Sequence, residues 1–390
     1  MKIILDQNIK GSIQEQVKHA LLNIINRQEL INRSAELLKL SIFVNAESDK
    51  SFLEIKDQIR LLIEDIYSKN IPAITVISQP PLSGNDVLIE SDWIKTNKHI
   101  TVDRLQLDNH HYVVVTDHRK NIRKLFSGGI SFYNSNDNIL EYRQVFEFAE
   151  QLLKKENMNF GNIVRQWNYI PHILSEKKSI HGIKLQRYQI FNDIRSSYFD
   201  IDLFKNGYPA ATGIGCSTGG ITIDFIAVSL NFNNIVTSIR NPLQYNAYNY
   251  SSKVLEGDPL VAGDIKRPPL FERAKRELFA GVEHIYVSGT ASIIGEKTEG
   301  AGNIKKQTEI TINNILQLLA SDNLDQNGIK IENELICIYA RIYISECDEI
   351  EEIKNIIKQK LGDCSMVFVK SDICRKDLLI EIEAEYEVKK

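Results

Sequence analysis

The sequence predicts an α+β protein built from two similar units, each a mixed β-sheet with helices on one face, and three observations carry that reading. The first is size: 390 residues with 43% apolar side chains exceed what a single core usually organises, so two domains are the natural expectation. The second is order, because strand-like runs alternate with amphipathic helices, the pattern of a sheet layered against helices. The third is an internal echo: Leu40-Ser-Ile-Phe-Val-Asn45 parallels Ala340-Arg-Ile-Tyr-Ile-Ser345, and Val87-Leu-Ile-Glu90 parallels Leu378-Leu-Ile-Glu381. A duplication of a strand, helix, strand, strand unit explains both parallels economically.

Taken in order, Ile13, Val17, Leu21, Leu22 and Ile25 recur at helical spacing, and Leu37 and Leu38 continue it. Leu40 to Asn45 reads as a strand, and Phe52, Ile55, Ile59, Leu62, Ile63 and Ile66 form a helical face. Ala73 to Ser78 returns to strand character, Pro80-Pro81 breaks it, and Val87 to Glu90 follows. Tyr112 to Thr116 and Ile130 to Phe132 add strands to the first unit. Few periodic signals occur between Phe160 and Ser179, which places a boundary near residue 165 and domains at 1–165 and 166–390. In the second, Ile221 to Val228 and His284 to Ser288 read as strands, and Ile310, Ile312, Ile315, Leu316 and Leu319 mark a helix. The repeat of the opening unit closes the chain: strand 336–344, helix 350–361 with Ile353, Ile356 and Ile357 on one face, strand 366–369 and strand 378–386.

The net charge of -4 comes from 47 basic and 51 acidic side chains interspersed along the chain, with no basic run to track a phosphate backbone, so nucleic acid is not the expected partner. No apolar run approaches the roughly 18 to 20 residues that cross a bilayer, and a soluble, cytoplasmic protein is expected. Cys216, Cys337, Cys347, Cys364 and Cys374 include no CxxC pair, which suggests neither a disulfide framework nor a structural zinc site. His110, His111 and His118 lack Cys or carboxylate neighbours at ligand spacing and read as structural or surface histidines; no metal is expected.

Four segments are candidates for chemistry. Ala211 to Gly220 is rich in glycine, backbone that approaches a ligand closely or simply turns tightly; Gly213 and Cys216 are its candidate wall residues. It is no dinucleotide fingerprint, because Thr218 occupies the third glycine position. Asn241 to Tyr250 concentrates amides and phenols, among them Gln244, Tyr248 and Tyr250, and Arg273 follows with a guanidinium suited to a carboxylate. Ser288-Gly-Thr-Ala-Ser-Ile293 ends a strand, and Gly289 and Ala291 leave room for a ligand ring or suit a tight turn. In the last strand, a period of two puts Glu381 and Glu383 on one face with Leu379. If that face is buried, desolvation and mutual repulsion keep one carboxyl protonated as a general acid; if not, the strand is half-exposed sheet.

Together these segments resemble the chorismatase family, chorismate-cleaving enzymes whose two domains each look like the small RidA/YjgF fold. The resemblance covers most of the chain, from Ser78-Gln-Pro-Pro81 through Arg165-Gln-Trp-Asn-Tyr-Ile-Pro171, Phe191-Asn-Asp-Ile-Arg195 and Pro209 to Gly215, to Asn241 to Tyr248, Ser288 to Ile293 and Cys374 to Glu381. It implies protonation of the enolpyruvyl methylene carbon of chorismate by Glu381 and release of pyruvate. Arg195 and Arg273 are then candidates for the substrate carboxylates, with Gln244, Tyr248 and Tyr250 orienting the rest. Cys374 looks like the cysteine of the branch that forms 3-hydroxybenzoate, although an odd separation from Glu381 on an extended strand would point the two side chains apart unless a turn intervenes. Alternatives are a hydrolase giving a dihydroxycyclohexadiene carboxylate, a RidA-like imine deaminase and a non-enzymatic binding scaffold. No cofactor is expected, and the molecule is a monomer or a homotrimer.

Overall fold

The computed structural model describes residues 1–6, 10–31, 35–134, 138–178, 182–229, 235–261, 263–346 and 349–389, with side chains not described at 27–31. Cys347 lies outside the described residues. Three sheets follow one another along the chain. The first joins β1 (Lys2–Leu5), β2 (Ala35–Val44), β3 (Ala73–Ile77) and β4 (Val87–Lys95), with helices α1 (Ile13–Ile31) and α2 (Asp49–Tyr67) between strands.

The second sheet contains β5 (Ile100–Leu107), β6 (His110–Asp117), β7 (Ile122–Phe126), the short β8 (Ile130–Ser131) and, after helix α3 (Asn138–Lys155), β9 (Ile163–Pro171). A separate ribbon of β10 (Glu176–Lys178) and β11 (Lys184–Gln186) leads into helix α4 (Arg187–Tyr198), and β12 (Ala210–Cys216) and β13 (Thr222–Val228) complete this sheet. The third comprises β14 (Val236–Ile239), β15 (Ala274–Phe279) and β16 (Val282–Ala291). After a small ribbon of β17 (Ile293–Ile294) and β18 (Lys297–Thr298) come helices α5 (Ile304–Leu318) and α6 (Ser321–Gln326), then β19 (Leu335–Ile344), helix α7 (Ile350–Leu361), β20 (Ser365–Lys370) and β21 (Ile380–Val388).

All three sheets share one topology. The spatial orders β1-β4-β2-β3, β7-β13-β9-β12 and β16-β21-β19-β20 are the same path, with the second and third sheets extended by β5-β6 and β14-β15. The α+β units of mixed sheet and helices expected from the sequence are present, and the path occurs three times, over 1–95, 100–228 and 236–388; the echo read in the sequence joins the first of these to the third. The boundary expected near residue 165 is corrected: it falls inside β9, which is hydrogen-bonded on one side to β12 and on the other to β13. Leu37 and Leu38 are likewise strand, not helix. They start β2, with Leu37 in the core under α1 and α2 and Leu38 in the core between sheets; a run apolar on both faces satisfies either periodicity.

Each sheet buries one face under its own helices, and the opposite faces converge on a shared core containing Phe43, Leu88, Trp167, Tyr169, Tyr339 and Tyr343. A closed ring of ion pairs runs through that core. Lys39 of the first unit pairs with Asp224 of the second; Arg165 of the second reaches Glu383 of the third at 2.7 Å; Arg341 of the third reaches Glu90 of the first at 2.5 Å. All six side chains are nearly inaccessible, and buried charges persist only when paired and hydrogen-bonded in this way.

The strand registers also correct the internal alignment. Ser41 faces Glu90 and Arg341 faces Glu383, so Glu90 occupies the position of Glu383, while Leu88, facing Phe43, occupies that of Glu381, which faces Tyr343. In the middle unit Thr222 faces Tyr169 at this same place.

Candidate functional site

A cavity opens where the second and third units meet, enclosing about 670 Å³ including its mouth. Glu381 forms its floor. β21 is central in its sheet, between β16 and β19, so the side chain projects from a rigid element, and it is 4% exposed. Burial pushes its carboxyl up to about 8, repulsion from Glu383 adds to this, and Arg165 and Arg273 offset only part. The carboxyl is thus held neutral near pH 7.

Glu383, two residues on, has the opposite state. Burial raises it too, but the Arg341 and Arg165 guanidinium groups outweigh that and hold it below the usual carboxylate range. It also accepts hydrogen bonds from Thr212 Oγ1 at 2.7 Å, Trp167 Nε1 at 2.8 Å and Tyr343 OH at 3.0 Å. One carboxyl is proton-bearing and its neighbour is ionised, a division of roles set by environment.

Gly289 on β16 is required by this arrangement, since a Cβ there would lie 2.0 Å from Glu381 Oε1. Its N–H donates to Thr212 Oγ1 at 3.0 Å, tying β16 to β12 across the unit boundary. Gly213 gives the ring of Tyr188 its place, with a notional Cβ 3.0 Å from Cε2. Ala291 also lines the cavity.

The opposite wall supplies positive charge. Arg273 is fixed by donation to Tyr245 O and Tyr250 OH, both at 2.6 Å, and lies over the ring of Phe271. Arg375 donates to Glu296 O at 2.8 Å, and its guanidinium lies 5.4 Å from the centroid of the Tyr250 ring. Cys374 lines the same cavity; burial, reinforced by Glu381, pushes its thiol up to about 12, so it stands as a thiol. It precedes β21 in a turn, which removes the expected alternation and lets both side chains face the cavity.

Of the residues singled out from sequence, Glu381, Cys374, Tyr250, Arg273, Gly213, Gly289 and Ala291 meet here. Four do not. Arg195 lies one turn beyond the cavity on the same face of α4, donating to Asn192 Oδ1 at 2.8 Å and lying over the Phe191 and Phe199 rings. Gln244 is spent on Ile293 O at 3.0 Å and on accepting from Asn241, and Tyr248 packs against Tyr208 with ring centroids 5.4 Å apart. Cys216 closes β12 beside Thr218, with burial pushing its thiol up. Sequence reasoning missed Tyr188, Gln189 and Asn192 of α4, and Arg375. The helix left a signal: Ile190, Phe191 and Ile194 form its buried apolar side, which turns 188, 189 and 192 elsewhere.

A buried acid with a raised pKa and guanidinium groups line one cavity, an arrangement suited to acid chemistry on a small anion. Residues 123–227 match the family model described as chorismatase FkbO/Hyg5-like, N-terminal. A 3-hydroxybenzoate synthase of Streptomyces hygroscopicus is 29% identical over 249 residues, 62% of this chain and 66% of that one. A chorismatase of Streptomyces rapamycinicus is 29% identical over 231 residues, 58% of this chain and 64% of that one. The matches thus span just under two thirds of these relatives' length. A crystal structure of a chorismatase superposes with a TM-score of 0.64 over 91% of this chain and 93% of that one at 20% identity, a likeness of fold. Family model, curated relatives and whole-chain fold together support the chorismatase family for this chain.

Among the described residues no helix is long and apolar enough to cross a membrane.

Proposed function

We propose that this protein cleaves chorismate, releasing pyruvate, with Glu381 as the general acid. The observation that carries this is a single carboxyl held up to about 8 in a cavity that also bears Arg273 and Arg375. Glu381 transfers its proton to the methylene carbon of the enol ether, which leaves positive charge on the ether-bearing carbon. In the hydrolytic course water adds to that carbon, its proton returns to the Glu381 carboxylate, and the hemiketal collapses to pyruvate as its hydroxyl proton passes to the departing ring oxygen. In the aromatic-forming course the bond between the ring carbon and the ether oxygen breaks, the ether oxygen becomes the pyruvate carbonyl, and the adjacent hydroxyl-bearing ring carbon loses its proton to the Glu381 carboxylate, leaving a hydroxybenzoate. Arg273 and Arg375 pair with the two substrate carboxylates, and the Tyr250 hydroxyl orients Arg273.

Cys374 supports a finer reading, in which the ring product is 3-hydroxybenzoate, the product named for one of the relatives. A neutral thiol beside Glu381 offers the ring a weak, adaptable contact instead of a nucleophile. Purified protein mixed with chorismate should release pyruvate, followed by coupled lactate dehydrogenase, and the ring product should be resolved by chromatography. Glu381→Gln should fold and release almost no pyruvate. Undiminished turnover in that variant would exclude Glu381 as the acid.

A further inference from the structure

The boundary between the first and second units carries a cavity on the same positions as the one at Glu381. Where α4 presents Tyr188, Gln189 and Asn192, α2 presents Lys56, Asp57 and Arg60 at identical spacing. Ile74 and Val76 of β3 replace Ala211 and Gly213 of β12, the registers equating Thr75 with Thr212. Ser131 pairs with Thr222 as Ala291 pairs with Glu381. The position of the acid is therefore a threonine, and this cavity has no counterpart of Glu381.

It has nonetheless stayed open, at about 1030 Å³ including its mouth, and it carries Lys56 where the other cavity carries Tyr188. Lys56 donates to Ser131 Oγ, and among the described residues no carboxylate lies within ion-pair distance of its ammonium. Arg60 is occupied by Glu64 at 2.8 Å, which His111 also faces at 3.5 Å. Burial lowers the Lys56 ammonium to about 8, and the nearby Asp57 offsets only part of that. Part of the wall is apolar and aromatic, Ile74, Val76, Ile130, Phe132 and Phe148, the last two edge to face with centroids 6.2 Å apart, while Asp57, Asp108 and His110 line other parts of it. A cation held by a hydroxyl with no direct ion pair, set beside aromatic walls, is complementary to a carboxylate carried on a ring.

We propose that this cavity is a second, non-catalytic site that binds a small cyclic carboxylate, its anion on Lys56 and Ser131 and its ring against Phe132 and Phe148. The inference does not depend on turnover at Glu381, and its test reads binding alone. Crystals soaked in 3-bromobenzoate should show an anomalous bromine peak between the first and second units. By calorimetry, benzoate should bind there to wild type and at least tenfold more weakly to Lys56→Met, a change that removes a partly exposed charge and should leave the fold intact by thermal melting. Ile74→Trp, which fills the cavity from the wall, should abolish the same binding event. Bromine absent from this cavity, or benzoate binding unaltered in both variants, overturns the proposal.

Discussion

Glu381 should make the native protein lose stability as pH rises, and replacement by glutamine should remove that loss. In the folded chain the carboxyl keeps its proton up to about 8, against an ordinary value of 4.5. Below the ordinary value both states are protonated and the group is neutral towards folding. Between the two values the unfolded chain has ionised while the native one has not, so stability falls with each step in pH, and above the upper value the loss is complete. A pH step of one is worth about 1.4 kcal/mol, so the gap corresponds to roughly 5 kcal/mol at most, and water entering the cavity on ionisation reduces this to about 2 to 5 kcal/mol. Urea unfolding of wild type and Glu381→Gln at pH 5 and pH 9 measures it, because every other titrating group is common to both proteins and cancels in the difference. The glutamine variant should gain that amount on wild type across the range. A difference constant to within about 0.5 kcal/mol would show that Glu381 ionises as a solvated carboxylate does, and the proposed acid would lose its physical basis.

Gly289→Ala should displace the Glu381 carboxyl by roughly 1 Å and lower kcat about a hundredfold, since the added carbon would otherwise sit 2.0 Å from Oε1; kcat near wild type, measured as pyruvate release, would mean the carboxyl position is not critical. Turnover should decline as pH rises through about 8, where Glu381 loses the proton it must donate; a profile flat from pH 6 to 9 would point to another acid. Cys374→Ala should shift the ring product away from 3-hydroxybenzoate while pyruvate still forms, and an unchanged chromatogram would remove the thiol from product control. Lys39→Met should cost roughly 3 to 5 kcal/mol in urea unfolding by leaving Asp224 buried without its cation, and adding Asp224→Asn should recover much of that; a loss below about 1 kcal/mol would mean the ring of ion pairs does not hold the units together.

Helices with one buried face, α2 and α7, were legible from their apolar stripes, and β21 from its alternation although both its faces are buried. A strand buried on both faces without such alternation was not. β9 is buried from Ile163 to Pro171, and its Arg165, Gln166, Trp167 and Asn168 are ion-paired or hydrogen-bonded inside the protein, so a polar run there reads as a linker although it is the centre of a sheet. The middle copy escaped notice because its words do not repeat: Trp167 and Tyr169 stand where the third unit has Arg341 and Tyr343, and Asp224 where it has Glu383; similarity of words also aligned Glu90 with Glu381 when register aligns it with Glu383. In the site, backbone requirements such as Gly289 and the charged residues of short motifs were visible. Arg195 misled because it shares a helix face with Tyr188 and Asn192 yet lies a turn further on, where Phe191 and Phe199 cover it, and spacing alone does not say where along that face the cavity ends.

The ring of ion pairs and the proposed acid are not separate features of the third unit. Every unit needs an acid on its last strand to close the ring, and Asp224, Glu90 and Glu383 supply it. Only the third unit adds a carboxyl two residues before that acid, on the same face of the strand, where the other units place Thr222 and Leu88. Glu383 is committed to Arg165 and Arg341, so its negative charge is permanent and its repulsion falls on Glu381. The residue that locks the third unit to the second thereby helps keep the neighbouring carboxyl protonated. The same geometry without that extra carboxyl leaves the cavity between the first and second units with walls but no acid, free to be lined by Lys56. Two cavities on one scaffold differ in chemistry through side chains at matched positions, and the difference is set by which of them can hold a proton.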